Sequence, residues 1–282
     1  KYYKLIYILL ATYNGEKYFS EQIESLLSQT YQDWKLWIHD DGSKDNTVQI
    51  IKNYTNKYPE KIFFLDDAIS CGGAKENFSY LLNNIDKDFD YIMFCDQDDV
   101  WLPNRIELFL NEVKIQEKNN PNLPLVIFSD LTVVDDKLNV ISNSMVKHQK
   151  LNPNIANSFE LLKCQNVITG CAMLLNKKAF EVSTPISKNV LMHDWWIALI
   201  VSKLGKNIYL DEKTILYRQH SSNVVGSKKV SLLTILKKIF SMNIFNNYKD
   251  LKMMLLECNY KLNFFKFIIC KIVVITIRFL RK

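Results

Sequence analysis

Three carboxylates in four residues, Asp96-Gln97-Asp98-Asp99, directly follow the hydrophobic run Tyr91 to Cys95. Their mutual repulsion at the end of a strand is costly unless a cation relieves it. Oxygen ligands of this kind suit Mg²⁺ or Mn²⁺, which commonly bridge one or two carboxylates to substrate phosphates. The alternative is a solvated acidic turn whose carboxylates cap nearby backbone. Two further polar clusters also follow apolar runs, Ala11-Thr12-Tyr13-Asn14 and Asp40-Asp41-Gly42-Ser43. A backbone turn and a carboxylate can pair with a pyrimidine edge, so these two could hold a nucleoside. The plainer reading of Asp41-Gly42-Ser43 is a turn plus a helix cap.

All three clusters need a scaffold that brings strand ends together. Leu5 to Ala11, Trp34 to His39, Ile62 to Leu65 and Tyr91 to Cys95 read as strands. Helical stripes separate them: Phe19, Ile23, Leu26 and Leu27, then Val48, Ile51 and Tyr54, then Phe78, Leu81, Leu82 and Ile85. Ser43 or Asp45 could cap the second helix. This alternation predicts an α/β fold with a mostly parallel central sheet and helices on both faces, with ligands at the carboxyl ends of the strands. Beyond Pro103, Ile106, Phe109, Leu110 and Val113 mark another buried helix. Leu125 to Ser129, Ile168 to Leu175, Ile208 to Leu210 and Thr214 to Tyr217 read as further strands. Trp195 to Leu204 reads as a helix that Asp194 could cap and Gly205 could end.

The chain has 282 residues, 48% of them hydrophobic, enough for a sizeable core. Its seven glycines and six prolines form no linker or repeat, which sets aside collagenous and disordered readings. The formal charge of +6 is uneven. Residues 228–282 hold twelve Lys/Arg against Asp250 and Glu257, leaving 24 basic and 28 acidic residues elsewhere. A nucleic-acid enzyme would place basic residues around its cleft, so no nucleic-acid partner is expected. Six cysteines show no short metal spacing. Lys1 to Lys4 run into a core strand rather than a secretory signal, so the cysteines are expected to be reduced thiols in a cytoplasmic protein, with Cys95 and Cys171 packed in the core.

The segments Leu9-Leu10-Ala11-Thr12-Tyr13-Asn14-Gly15, Asp40-Asp41-Gly42-Ser43 and Asp96-Gln97-Asp98-Asp99-Val100-Trp101 resemble, in order and spacing, family 2 glycosyltransferases of the bacterial rhamnosyltransferase-like branch. The resemblance continues through Gly170-Cys171, His193-Asp194-Trp195-Trp196 and Tyr217-Arg218-Gln219-His220-Ser221-Ser222-Asn223. It covers about residues 5–226. It implies a GT-A fold, a nucleotide-sugar donor and a divalent cation, Mn²⁺ or Mg²⁺. It implies that Thr12, Asn14 and Asp41 contact the base or ribose, that Asp96 sits near the ribose, and that Asp98 holds the metal on the diphosphate. His220 matches the place of a late metal-binding histidine in some relatives; a hydrogen-bonded structural histidine is the alternative. Asp194 matches the base that deprotonates the acceptor hydroxyl in an inverting displacement, although His193 stands where the general pattern has Glu. Gly170, Trp195 and Trp196 are expected on the acceptor side, with core packing as the alternative for both tryptophans and for Trp101. The branch favours a dTDP-rhamnose donor, with a UDP-hexose as alternative. By resemblance the acceptor is a capsule, O-antigen or cell-wall glycan, or its lipid-linked precursor.

Residues 1–227 are thus expected to form the catalytic domain and 228–282 a basic, amphipathic helical extension. Within its final stretch, Phe264 to Lys282, the longest uncharged run, Ile272 to Ile277, falls well short of the roughly 20 residues that span a bilayer. A helix lying on an anionic membrane surface fits better, which would place the protein peripherally on the inner face of the cell membrane. Packing on the body or in a homodimer is the alternative. A nucleotidyltransferase would want a Gly-rich basic loop after the first strand and a dehydrogenase GxGxxG there, and neither is present. A non-catalytic assembly subunit that kept the fold is disfavoured by the intact carboxylates at 96, 98 and 194.

Overall fold

The computed structural model describes residues 4–220 and 243–280. β1 (Ile6–Thr12) is central, flanked in parallel by β2 (Trp34–Asp40) and β4 (Tyr91–Asp96), with β3 (Ile62–Phe64) beyond β2. Being covered on both faces, β1 is apolar almost throughout, as a buried parallel strand must be. Its side chains alternate. Tyr7 and Leu9 enter one core with Phe78, Phe94 and Ile197, while Ile6, Ile8 and Leu10 enter the opposite core with Phe19, Ile23 and Ile106.

Helices supply both layers. α1 (Phe19–Leu27), α2 (Thr47–Lys57) and α4 (Arg105–Asn119) contribute to the second core, and α3 (Ala74–Asn84) to the first. The sheet continues through β5 (Val100–Trp101), β6 (Leu125–Val134), β7 (Val140–Ser142), β8 (Met173–Asn176) and β9 (Lys206–Arg218). Its order is β3-β2-β1-β4-β8-β6-β9-β5, with β7 on β6. Parallel pairing holds across β3-β2-β1-β4 and for β6 with β9, whereas β8 runs antiparallel to both β4 and β6. The expected parallel sheet is therefore the first half of a mixed GT-A-like sheet.

Short helices α5 (Met145–His148), α6 (Phe159–Leu162) and α7 (Lys177–Ser183) precede α8 (His193–Leu204). α8 starts before Asp194, with Met192 as N-cap, and ends at Gly205. Where Ile168 to Leu175 reads as one strand, a 3-10 turn over Gly170–Ala172 delays β8 until Met173. The two strands expected over 208–217 form one, β9, which stays continuous across the polar residues Asp211 and Glu212 through a register shift against β6.

In the tail, α9 (Asn243–Glu257) and α10 (Phe264–Leu280) pack on the body. Leu251, Met254, Leu255, Leu262 and Phe267 are buried in the same core as α8. The expected boundary at 227/228 lies outside the described residues, as do Ser221, Ser222 and Asn223. No helix among the described residues is long and apolar enough to cross a membrane. The reading of all six cysteines as reduced thiols is overturned: Cys164 and Cys270 form a disulfide that joins the end of α6 to α10. The packing of α10 brings together residues 106 positions apart, which no local spacing announces. Cys95 and Cys171 are buried, as expected.

Candidate active site

The parallel register lines up the carboxyl ends of three strands: Thr12 lies opposite Asp40, and Ala11 opposite Asp96. Above them opens a cavity of about 730 Å³. Thr12, Asp41, Asp96, Asp98, Gly170, Asp194 and Trp195 all line it.

The Asp40–Ser43 turn divides its work between two carboxylates. Asp40 holds the turn itself, accepting from Gly42 N at 3.0 Å and Ser43 N at 2.7 Å. Gly42 has φ +82°, a conformation that favours glycine. Asp41 is freed from turn-making and faces the cavity, where its Oδ1 accepts from Gly72 N at 3.0 Å, Ser70 Oγ at 3.1 Å and Cys71 N. The N-cap of α2 is Asn46, without a side-chain cap bond, and Asp45 before it accepts from Thr47 N at 3.0 Å.

Asn14 is placed differently from Thr12. Its side chain accepts from Lys44 N at 2.8 Å and its amide donates to Ser43 Oγ at 2.7 Å, so it braces the β1 turn against the β2 turn away from the cavity wall. Asn77 carries out the same bracing from beneath: its Nδ2 donates to His39 O at 3.2 Å and Thr12 O at 3.4 Å, and its Oδ1 meets His39 Nδ1 at 2.8 Å. Gln97 adds a third brace, pairing through Oε1 and Nε2 with Tyr13 N at 2.9 Å and Tyr13 O at 3.0 Å.

The acidic turn after β4 is pinned rather than solvated. Arg218, buried at the end of β9, donates from Nε to Asp98 O at 2.7 Å and from its backbone N to Asp99 Oδ1 at 3.0 Å. Its guanidinium also reaches Asp136 O at 2.8 Å and pairs with Glu21. Asp98 Oδ2 lies 2.7 Å from His220 Nε2. Asp96 is pushed up to about 7 by burial and then by the charge of Asp98. Asp99, fully buried, is raised well above the carboxylate range by burial and by both neighbours. Ligand atoms of Asp96, Asp99 and Cys171 lie within 4.8 Å of one another. A carboxylate set under this strain, with an imidazole against Asp98, suits a divalent cation bound through oxygen and nitrogen.

Across the cavity, Asp194 lies in the first turn of α8 instead of before it. Its oxygens accept from Gly170 N at 2.9 Å and from Trp195 N at 2.5 Å. Burial pushes it up to about 6, with those backbone donors opposing the shift. Gly170 can come this close because it has no side chain: a Cβ there would meet His193 Nε2 at 2.9 Å and Asp194 Cβ at 3.4 Å. His193 is clasped between Phe78 and Phe94, ring centroids 4.4 and 4.8 Å away, and burial lowers it to about 3.

The two tryptophans separate. Trp195 is half-buried at the cavity wall, its Nε1 anchored to Leu162 O at 2.7 Å. Trp196 lies in the core, with Nε1 donating to Ser183 O at 2.8 Å, and does not line the cavity. Trp101 is buried under the guanidinium of Arg105, 4.3 Å from its ring centroid. Of the residues expected at the site, Asn14 and Trp196 are thus placed away from its walls. Arg218, Gln97 and Asn77 shape it without having been assigned a role from sequence; Arg218 and Gln97 lay inside recognised segments, but the partners of all three are distant in the chain.

Known proteins match this chain in sequence and in fold. The family profile described as Glycosyl transferase family 2 matches residues 7–182. The chain is similar to the dTDP-rhamnosyl transferase RfbG of Shigella flexneri, 31% identical over 77% of this chain and 74% of RfbG. It is also similar to an uncharacterized glycosyltransferase of Rickettsia conorii, 28% identical over 82% of this chain, and spans only 36% of that longer protein. Among solved structures, the mannosyltransferase PcManGT of Pyrobaculum calidifontis, in complex with GDP-Man and Mn²⁺, superposes with a TM-score of 0.58 at 12% identity, covering 99% of this chain and 71% of PcManGT.

Proposed function

The chain belongs to glycosyltransferase family 2, and from that premise we propose that it transfers rhamnose, with inversion, from dTDP-rhamnose to a glycan or lipid-linked acceptor of a bacterial surface polysaccharide. The observation that carries this reading is the meeting of Asp41, Asp96, Asp98 and Asp194, from the turn after β2, the end of β4 with its following turn, and α8, around one cavity. The similarity to RfbG supports the donor.

In this reading Asp41 and Thr12 take the base and ribose, with Asp96 near the ribose. Asn14, Asn77 and Gln97 act at one remove by fixing those strand ends. Asp98, with His220 beside it, would hold Mn²⁺ or Mg²⁺ against the donor's diphosphate, where the cation neutralises charge on the leaving group. Asp194 accepts the proton of the acceptor hydroxyl. The hydroxyl oxygen then bonds to the anomeric carbon from the face opposite the diphosphate as that carbon's bond to the diphosphate breaks. A carboxylate raised to about 6 by burial is a stronger base than a solvated one and is still mostly ionised at neutral pH. Trp195 offers a flat apolar surface to an acceptor sugar, and the bare backbone of Gly170 leaves room beside it.

The test is a panel of nucleotide sugars, dTDP-rhamnose and UDP-hexoses included, incubated with Mn²⁺ and scored for nucleoside diphosphate release by wild type and Asp98→Ala. Metal-dependent release from dTDP-rhamnose that the variant loses is the expected result. Release from a UDP-hexose instead would correct the donor. If no nucleotide sugar is turned over or bound with metal present, the chain is a non-catalytic member of the family.

A further inference from the structure

A second cavity, of about 470 Å³, lies beside the first, and Leu151 lines both. Its walls come from β6 and β9, from the segment 144–153, and from the end of α10. Four cationic side chains converge there: Lys147, Lys150, Lys213 and Arg278. Two acids also line it, but neither offsets the cations fully. Asp130 is buried and committed, accepting from Ser144 Oγ at 2.5 Å and Val146 N at 3.0 Å. Asp211 lies 3.6 Å from Lys213 and accepts from the Tyr209 hydroxyl at 3.1 Å. Arg278 is fixed by donating from Nε to Gln149 O at 2.8 Å, and Gln149 itself lines the first cavity. Lys150 sits 4.4 Å from the ring centroid of Phe279. The lining therefore combines a positive excess with apolar surface from Phe279, Leu151 and Val146.

The helix that closes this cavity also has a bare outer face. On α10 the inward residues Phe267, Cys270 and Val274 are buried on the body. Its outward residues Phe265, Ile269, Ile272 and Val273 are 74%, 46%, 54% and 40% exposed. They recur at i, i+4, i+7 and i+8, one continuous apolar stripe. Phe264 stacks on Phe245 of α9 with ring centroids 5.0 Å apart, and Phe245 is itself 58% exposed. Lys266 on the same helix is exposed, as are Lys249, Lys252 and Lys261 in α9 and the connection after it, against the exposed acids Asp250 and Glu257. An apolar stripe on a helix pair with a net excess of exposed lysines complements an anionic lipid surface.

We propose that the second cavity binds the diphosphate of a lipid-linked acceptor, while the outer stripe of α10 lies in the bilayer surface that carries the lipid. The inference rests on the glycosyltransferase reading of the first cavity and specifies its acceptor. The cationic cavity takes the phosphates, Phe279 and the stripe follow the lipid outward, and the shared wall at Leu151 directs the sugar beyond the phosphates toward Asp194. A water-soluble phosphate-bearing glycan would use the same cations but would leave the stripe without a role.

The test uses the full chain in EDTA, so that no cation can recruit phosphates to Asp98. Binding of farnesyl diphosphate, farnesol and inorganic pyrophosphate is measured by calorimetry for wild type, the double variant Lys147→Ala/Lys213→Ala, and Asp98→Ala. Farnesyl diphosphate is expected to bind wild type and Asp98→Ala alike and to bind the double variant about tenfold or more weakly; farnesol is expected not to bind. In parallel, wild type should float with vesicles containing phosphatidylglycerol, and Ile269→Glu/Ile272→Glu should not. Farnesyl diphosphate binding that survives the lysine substitutions, or is lost in Asp98→Ala, would overturn the second site. Inorganic pyrophosphate binding as tightly as farnesyl diphosphate, or flotation unchanged by the glutamates, would overturn the lipid. Nucleotide-sugar turnover by wild type, assayed separately, tests the underlying reading, so its failure is distinguishable from these results.

Discussion

His193 offers a sharp test of how dry the floor of the active site is. Its side chain is 3% exposed, neither ring nitrogen has a hydrogen-bond partner among the described residues, and its value is lowered to about 3 by burial alone. In the unfolded chain it would titrate near ~6.5. Below that pH the unfolded state binds a proton that the folded state refuses, so stability is lost as pH falls, by about 1.4 kcal/mol per unit. Integrated from pH 7 to pH 5, this amounts to about 2 kcal/mol. Asp194, raised to about 6, acts in the opposite sense in the same window, because the folded state takes up its proton first. The wild-type curve alone therefore conceals the histidine, and the comparison must be with a non-titrating residue of similar size. Urea unfolding of wild type and His193→Leu, disulfide intact, should show wild type losing about 2 kcal/mol relative to the variant between pH 7 and pH 5. Parallel behaviour of the two proteins over that range would mean the ring is protonated or hydrated in the fold, and the account of a closed Phe78–His193–Phe94 sandwich would fail.

Three other outcomes follow from the geometry. Asp194→Asn should lower kcat by about 10²–10⁴, and wild-type kcat/KM should fall about tenfold per pH unit below about 6 as Asp194 is protonated, both read from nucleoside diphosphate release. Gly170→Ala puts a methyl group 2.9 Å from His193 Nε2, so thermal unfolding should show a loss of about 1–3 kcal/mol, and sugar transfer should drop more than calorimetric donor affinity. Cys164→Ser removes a cross-link spanning 106 residues and should cost about 2–5 kcal/mol in urea unfolding, as should reduction of wild type.

What could be read from the sequence was what local chemistry decides. β1, β2 and β4 are fully covered strands, so each is a continuous apolar run ended by polar residues, and those ends form the candidate site. The carboxylates at 41, 96, 98 and 194 were legible for the same reason: each sits where an element begins or ends. Long-range partnership was not legible. Nothing near Asp40 says that it, and not Asp41, would hold the turn, since the difference depends on the 70–72 loop reaching Asp41. Trp195 and Trp196 are adjacent and chemically identical, and only the side of α8 on which each falls sends one to the cavity and the other to Ser183. The break in Ile168 to Leu175 arises from a turn in which Gly170 is tied to a carboxylate 24 residues later. The cysteine pair escaped notice because helix packing, not spacing, creates it.

Arg218 has a consequence for how the protein is made. The turn bearing Asp98 leaves the ribosome 120 residues ahead of the arginine that clasps it. In the interval β1, β2 and β4 are all available to pair, but the carboxylates at 96, 98 and 99 have neither Arg218 nor His220 beside them. A chain interrupted anywhere before β9 is complete can thus pair β1, β2 and β4 and still lack the groups that pin the Asp98 turn. Under the proposed function, competence to hold the donor would arrive only once Arg218 and His220 had both been added.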